Sequence, residues 1–427
     1  MGKIQDDNKL YSFLRYYVDY HIKRGFRKYQ VVGKENLLGK GAKVYGSNHC
    51  NALTDALVLL AKDHKKKVFI ARADIFKNPT IAKILRWLRI LPIYRIRDGI
   101  SSVRDNNNDI IDQAVDVIHD EVQLYLFPEA THRTKHSLRK LSKGIFHIAL
   151  EANKRFGDQK QVFIVPTGID YGDYFRYRSN VLLSFGEPIN VTEFVKRNET
   201  ENEAVIMNNL RDVLSERMSK LITFLPDDED YDAIWEIVKI KAHRLPSSLA
   251  KRRDNNNKVV ENVVRFRDKE PEKAKKIFEK ILDFTAKRKA SNISVYSVSR
   301  KLPLFSMLLK TFILLLGLPI FVAAAVASSP IWIVAYFILN RLGDAAFRNT
   351  VNFGVELVVH TVMMLVAIPV LFCVVPWELA MISLLFFEFS YPFFFDYCEY
   401  LRRWCSDIRW TFNNKLRRQF EEIDINF

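Results

Sequence analysis

Between Thr311 and Asn340 the chain carries no Asp, Glu, Lys, Arg or His, and Leu, Ile, Val, Phe and Ala fill most of the positions. About 20 such residues in a row are enough for a helix to cross the hydrocarbon layer of a bilayer. A run this long does not suit the surface of a water-soluble fold. Ser328, Ser329 and Pro330 lie near its middle, so it forms either one long tilted span or a broken, re-entrant hairpin. A second run, Leu357 to Trp377, holds only His360 as a possible charge, and a third follows Glu378 and reaches Phe395. Two crossings are expected, and the last run is a candidate third. Arg300, Lys301 and Lys310 precede the region, and Arg402, Arg403, Arg409, Lys415, Arg417 and Arg418 follow it. Basic flanks favour the cytoplasmic side, which asks for an even number of crossings. Glu356, His360, Glu378 and Glu388 stand in or beside these runs. Intramembrane ionisable groups are functional candidates by default. The alternative expected here is that they mark span ends at headgroup level.

The rest of the chain divides by composition. Residues 1–40 form an N-terminal region in which aromatic and aliphatic side chains recur at helical spacing among basic ones, from Leu10 to Tyr29. That stripe suits a helix lying in a membrane interface, or one packed on a neighbouring domain. Residues 41–191 alternate short apolar runs with helix-like segments. Residues 192–300 are charged and mainly helical, with Asp254 to Asn257 expected to break the pattern, and 301–427 hold the membrane-spanning region and a basic tail. The net charge of +16 favours an anionic partner, here a membrane surface. No nucleic-acid motif accompanies the charge, so nucleic acid ranks well below lipid. Four cysteines, at 50, 373, 398 and 405, lack paired spacing and suggest a reducing compartment. The N-terminus, Met-Gly-Lys-Ile-Gln-Asp-Asp, has no signal-like apolar stretch. An integral membrane protein with its catalytic part on the cytoplasmic face is therefore expected.

In 41–191, apolar runs at 43–46, 68–71, 122–127, 162–166 and 181–185 read as strands, several too continuous to have a solvent face. Segments 55–62, 79–90, 109–120 and 143–156 read as helices, and Asn106 to Asn108 and Asp227 to Asp232 as loops. The fold class is α/β: a mixed, largely buried sheet flanked by helices, then a helical region and a C-terminal transmembrane region. Functional residues in such sheets gather where strands give way to loops.

At one such place stands Asn48-His49-Cys50-Asn51-Ala52-Leu53-Thr54-Asp55. A neutral imidazole accepts a proton near neutral pH, and a carboxylate on its other nitrogen fixes the tautomer and stabilises the imidazolium. Taken alone, a histidine and an aspartate this close are more often structural. Three further segments follow: Leu91-Pro92-Ile93-Tyr94-Arg95-Ile96-Arg97, Leu126-Phe127-Pro128-Glu129-Ala130-Thr131-His132, and Ile164-Val165-Pro166-Thr167-Gly168.

These four segments, in this order over residues ~30 to 190, resemble the blocks of the glycerolipid acyltransferases that include 1-acyl-glycerol-3-phosphate acyltransferase. The resemblance implies His49 as general base and Asp55 as its partner. It implies substrate binding by Asn48, Arg97, Glu129, Thr131 and His132. The family's usual first block has four residues between His and Asp, whereas five separate His49 from Asp55. Positions six apart on an unbroken helix lie about 240° from each other. His49 is therefore expected on the loop and Asp55 in the first helical turns, with the turn absorbing the extra residue. In the third block Ala130 stands for the usual glycine and His132 for the usual arginine, so the arginine's phosphate-binding role does not pass directly to His132. Arg133, Lys135, Arg139, Lys140 and Lys143 are available in its place. Glu129 orients an arginine, binds a glycerol hydroxyl or holds the strand end. Pro166 and Thr167 are expected to be structural.

The implied reaction is transfer of a fatty acyl group from a thioester of coenzyme A or acyl carrier protein to lysophosphatidate. Glycerol phosphate or an amino-acid lipid is an alternative acceptor, and no metal or other cofactor is implied. A degenerate domain that binds lipid without catalysis is the reading from a different class. Cys50 is expected to pack rather than carry the acyl group, because residues adjacent in sequence seldom face one another.

Overall fold

The computed structural model describes residues 3–94, 103–242, 248–298, 303–423 and 425. Arg97, Arg300 and Lys301 lie outside them. The chain forms two compact units, one of Met1–Ile222 with Asp344–Thr350, the other of Thr223–Gly343 with Val351–Phe427.

The first unit opens with α1 (Lys9–Arg24), β1 (Lys28–Val32), β2 (Ala42–Ser47) and α2 (Ala52–Ala61). There follow β3 (Lys67–Arg72), α3 (Pro79–Trp87), β4 (Ile90–Ile93), α4 (Val103–His119), β5 (Gln123–Leu126) and α5 (Gly144–Phe156). It closes with β6 (Val162–Tyr171), β7 (Asn180–Phe185), β8 (Ile189–Asn190), α6 (Val191–Arg197) and α7 (Glu203–Ser219). One sheet runs in the order β1-β7-β6-β2-β5-β3-β4, with β8 also on β6. Its pairs are parallel except β6 with β7 and β8. The expected mixed, buried sheet is observed.

Alternation along the strands divides the core. Val44, Val68, Leu124 and Ile164 pack with Ile110, Ile118, Ile145, Phe146 and Leu214 of α4, α5 and α7. Their neighbours Tyr45, Tyr125 and Phe69 are cross-strand partners whose rings stack at 4.6 and 5.4 Å. Gly46 lets the helices close in: a Cβ there would stand 2.9 Å from Ile145 Cδ1. Helix α7 adds Leu210, Leu214 and Met218 to this core, so the unit runs to Ile222, beyond the boundary expected at 191. β1 starts it before residue 41.

Helix α1 is polar on its inner face. Arg15 donates to the carbonyls of Leu60, Asp63 and Lys65 at 2.6, 2.6 and 3.1 Å and pairs with Asp19, while Leu10, Phe13, Tyr16 and Tyr20 face outward. The helix packs on the domain and still offers an apolar face. Two asparagine runs correct the sequence expectation. Asn106 to Asn108 lie inside α4, not in a loop.

The second unit holds α8 (Tyr231–Ala242), α9 (Leu249–Lys269), α10 (Pro271–Ala290) and α11 (Val295–Val298). They share a core with Trp410 and Leu416 from the C-terminal helices. Asp254 to Asn257 do not break the helix, because α9 runs through them. Asn256 Nδ2 donates to Thr223 Oγ1 at 3.1 Å, and Asn257 Oδ1 accepts from the Phe224 N–H at 3.0 Å. Such local partners offset the poor helix propensity of asparagine.

Beyond them come α12 (Leu304–Ala327), α13 (Ser329–Leu339), α14 (Arg348–Val374), α15 (Trp377–Phe412) and α16 (Asn414–Glu421). Among the described residues three helical stretches, Leu304–Ala327, Ala345–Val374 and Trp377–Phe412, are long and apolar enough to cross a membrane. The chain bends at Ser328. Phe321 and Trp332 both stack on Phe394, at 5.6 and 5.8 Å, although a straight helix would separate them by roughly 16 Å along its axis. A straight span through Ser328 is thereby excluded. Glu356 and His360 are buried, and His360 Nε2 is 3.2 Å from Glu388 Oε2. Glu356 and His360 thus face the helices of this unit while Glu388 is half-buried, and the His360–Glu388 pairing lowers the cost of charge in an apolar layer. Glu378, in the first turn of α15, is exposed.

Candidate active site

The motif residues meet at the C-terminal ends of the adjacent strands β2 and β5. His49 follows β2, and its Nδ1 lies 2.8 Å from Asp55 Oδ2. Asp55 sits in the first turn of α2 and is fully buried. The same carboxylate oxygen accepts the backbone N–H groups of Cys50 and Asn51, both at 2.8 Å, and Oδ1 accepts the Tyr171 hydroxyl at 2.9 Å. A carboxylate held by that many donors stays where it is and serves the imidazole as an acceptor only. Nδ1 therefore carries the proton, and Nε2 is the basic atom. The chain reverses at Ala52, whose φ of 45° lies in the left-handed region; that reversal lets side chains six positions apart touch.

Glu129 links two loops. Its Oε1 accepts the His49 N–H at 2.8 Å and its Oε2 the Arg139 N–H at 2.9 Å. Burial raises the Glu129 carboxyl above its ordinary range, and the two backbone donors oppose this. Of the roles expected for Glu129, the geometry gives the structural one. It clamps the base's backbone to the loop after β5. Phe127 stacks on the His49 ring at 4.4 Å, which fixes the ring plane. Asn48 has a similar part: its amide donates to the Ile169 carbonyl at 2.9 Å and accepts the Ile169 N–H at 2.7 Å. An amide occupied on both sides positions β6 against β2 and is not free for substrate.

His132 stands beside the pair, its ring edge-on to His49 at 5.6 Å. Arg133 donates through its N–H to the His49 carbonyl and through Nη2 to Ser137 Oγ. The Thr131 N–H is turned back to the Glu129 carbonyl at 2.8 Å. Arg139, Lys140 and Lys143 are exposed, available to an anionic group. Cys50 is buried, and burial together with Asp55 pushes its thiol well above the ordinary value; a thiol so held is a poor nucleophile.

Residues 28–170 match the family model described as Acyltransferase. This stretch is similar to that family. A curated relative, an uncharacterized acyltransferase of Schizosaccharomyces pombe, is 25% identical over 234 residues, which cover 52% of this chain and 34% of that protein. The chain thus spans about a third of that relative's length. Among solved structures, the 1-acyl-sn-glycerophosphate (LPA) acyltransferase PlsC from Thermotoga maritima aligns over 50% of this chain and 83% of its own, with 18% identity and a TM-score of 0.33.

Within the matched stretch Ala130 takes a φ of 62°, left-handed backbone that costs about 1–2 kcal/mol for a residue with a Cβ. Ala130→Gly should raise unfolding stability by about 1 kcal/mol, since glycine's greater chain entropy cancels part of the relief. A urea midpoint that falls instead would mean that the Ala130 methyl packs to advantage. Sequence reasoning missed His136, whose Nδ1 is 3.6 Å from Asp170 Oδ1, and the segment 344–350. The family blocks contain neither.

Proposed function

We propose that the protein is a membrane-bound O-acyltransferase that moves a fatty acyl group from an acyl thioester to the hydroxyl of 1-acyl-glycerol-3-phosphate. The observation that carries this reading is His49 Nδ1 held at 2.8 Å by the fully buried Asp55. His49 Nε2 takes the proton of the acceptor hydroxyl. The alkoxide oxygen forms its bond to the thioester carbonyl carbon, and the carbon–sulfur bond breaks as the tetrahedral intermediate collapses. The imidazolium then returns its proton to the departing thiolate. Arg133, Arg139 and Lys143 supply cations to the acceptor phosphate, a group that guanidinium recognises in bidentate fashion. Coenzyme A or acyl carrier protein delivers the acyl chain. The three bilayer-length helices and the outward aromatic face of α1 support an anionic lipid surface as partner, with the catalytic domain on the cytoplasmic side.

The test is transfer of a labelled acyl group by purified, detergent-solubilised protein. Both donors are offered with lysophosphatidate, glycerol-3-phosphate and a monoacylated amino-acid lipid. Transfer to lysophosphatidate alone supports the reading; transfer to another acceptor reassigns the substrate; none at all in folded protein rejects it. Cys50→Ala should keep kcat within about threefold, because a direct transfer forms no acyl-thiol intermediate. Trapping of acyl label on the protein at Cys50 would contradict that.

A further inference from the structure

A segment far outside the family-matched region lies in the candidate site. Asp344–Thr350, the end of the connection from α13 together with the first residues of α14, folds into the α/β unit. Asp344 Oδ2 is 2.9 Å from His132 Nε2, and the Phe347 ring meets the His132 ring edge-on at 5.5 Å. Thr350 Oγ1 is 3.1 Å from Thr54 Oγ1, one residue before Asp55. Asn349 Nδ2 donates to the Tyr174 carbonyl at 2.6 Å, and Asn51 Nδ2 reaches the same oxygen at 3.0 Å. The segment therefore touches the loop after β5, the first turn of α2 and the loop after β6.

We propose that Asp344 is a positioning residue for His132 and that the segment 344–350 forms a wall of the acyl-acceptor site. This rests on the acyl-transfer reading. Neither ring nitrogen of a histidine orients itself; the hydrogen bond on one nitrogen fixes the rotation of the ring and the tautomer of the other. The Ala346 N–H and then His132 hold the Asp344 carboxyl below its ordinary value, so it is an acceptor at neutral pH. His132 Nε2–H donates to it, and the ring edge is held toward His49. A contribution to folding does not account for the pair, because its side chains are 27% and 55% exposed and such pairs add little to stability. The same short turn carries the Phe347 ring beside His132, an apolar surface that suits the acyl tail of the acceptor.

The test uses the full-length protein in detergent. Asp344→Ala should raise the acceptor KM about tenfold, as loss of an orienting partner does elsewhere. The donor KM and the melting temperature should stay as in the parent. Asp344→Asn, which keeps an acceptor oxygen, should recover most of the loss. An unchanged acceptor KM overturns the positioning role, and so does an equal change in both substrates accompanied by a lower melting temperature. Independently of activity, an oxidised Thr54→Cys, Thr350→Cys pair should cross-link. Failure to do so in folded protein removes the segment from the site. Protein that acylates no acceptor would reject the acyl-transfer reading and the role of Asp344 with it, while the cross-link would still report where the segment lies.

Discussion

Replacing His49 by alanine should lower kcat by about 10²–10⁴, the usual range for loss of a positioned general base, with folding and membrane association retained. The side chain is 18% exposed, and its removal leaves the Glu129 clamp on the backbone intact. Asp55→Asn should also abolish most turnover, for a different reason. The wild-type carboxylate accepts from His49 Nδ1 and from the Cys50 and Asn51 N–H groups with one oxygen. An amide offers one acceptor oxygen and presents donors that meet donors, so the loop around His49 is disturbed and the imidazole is pushed to its other tautomer. The two variants separate in a melting experiment: His49→Ala should unfold with the parent, Asp55→Asn earlier. If His49→Ala retains the acyl transfer of the parent, the base lies elsewhere and the mechanism fails.

How much of this was readable in the sequence depended on whether the information was local. The strands around 43–46, 68–71, 122–127, 162–166 and 181–185 were visible because a buried strand needs a dense apolar run, and each falls on an observed strand. β1 was hidden: Lys28, Tyr29 and Gln30 give no apolar run, and the strand exists because β7 pairs with it along its whole length. The asparagine runs at 106–108 and 254–257 read as loops on propensity, yet both lie inside helices, the second with Asn256 and Asn257 bonded to Thr223 and Phe224. That His49 and Asp55 could meet needed a turn between them. The turn is made by Ala52 in a conformation that sequence rules assign to glycine. Glu129 was identified as a residue of interest, but its part in clamping two backbones could not be, since neither partner is a side chain. The segment at 344–350 lies far from His132 in sequence and carries no motif, so only the folded chain brings Asp344 to it.

The same dependence on distant partners sets the largest expected loss of stability, at Arg288 of α10. Its Nη2 is 2.6 Å from Glu236 Oε1 and its Nη1 is 2.6 Å from the Ile293 carbonyl, with both charged side chains almost wholly buried, 5% and 2% exposed. Burial alone would raise the Glu236 carboxyl; Lys239 and Arg288 outweigh it and hold the group below its ordinary value. Arg288→Ala strips a buried carboxylate of its deeper partner and should destabilise the second unit by about 3–5 kcal/mol. Thermal unfolding followed by tryptophan fluorescence would read this as a fall of roughly 6–20 °C at 2–4 °C per kcal/mol. The pH dependence has a definite sign. In the parent, a carboxyl held below its unfolded value contributes stability at neutral pH and loses it as pH falls through the folded value. The variant has lost that contribution already, so the gap between the two proteins should narrow in acid. A gap that stays constant through the carboxylate range would mean that Arg288 acts through packing of its stem and not through its charge. Combining Arg288→Met with Glu236→Leu should then recover most of the stability, because two well-packed apolar side chains leave no buried charge to satisfy.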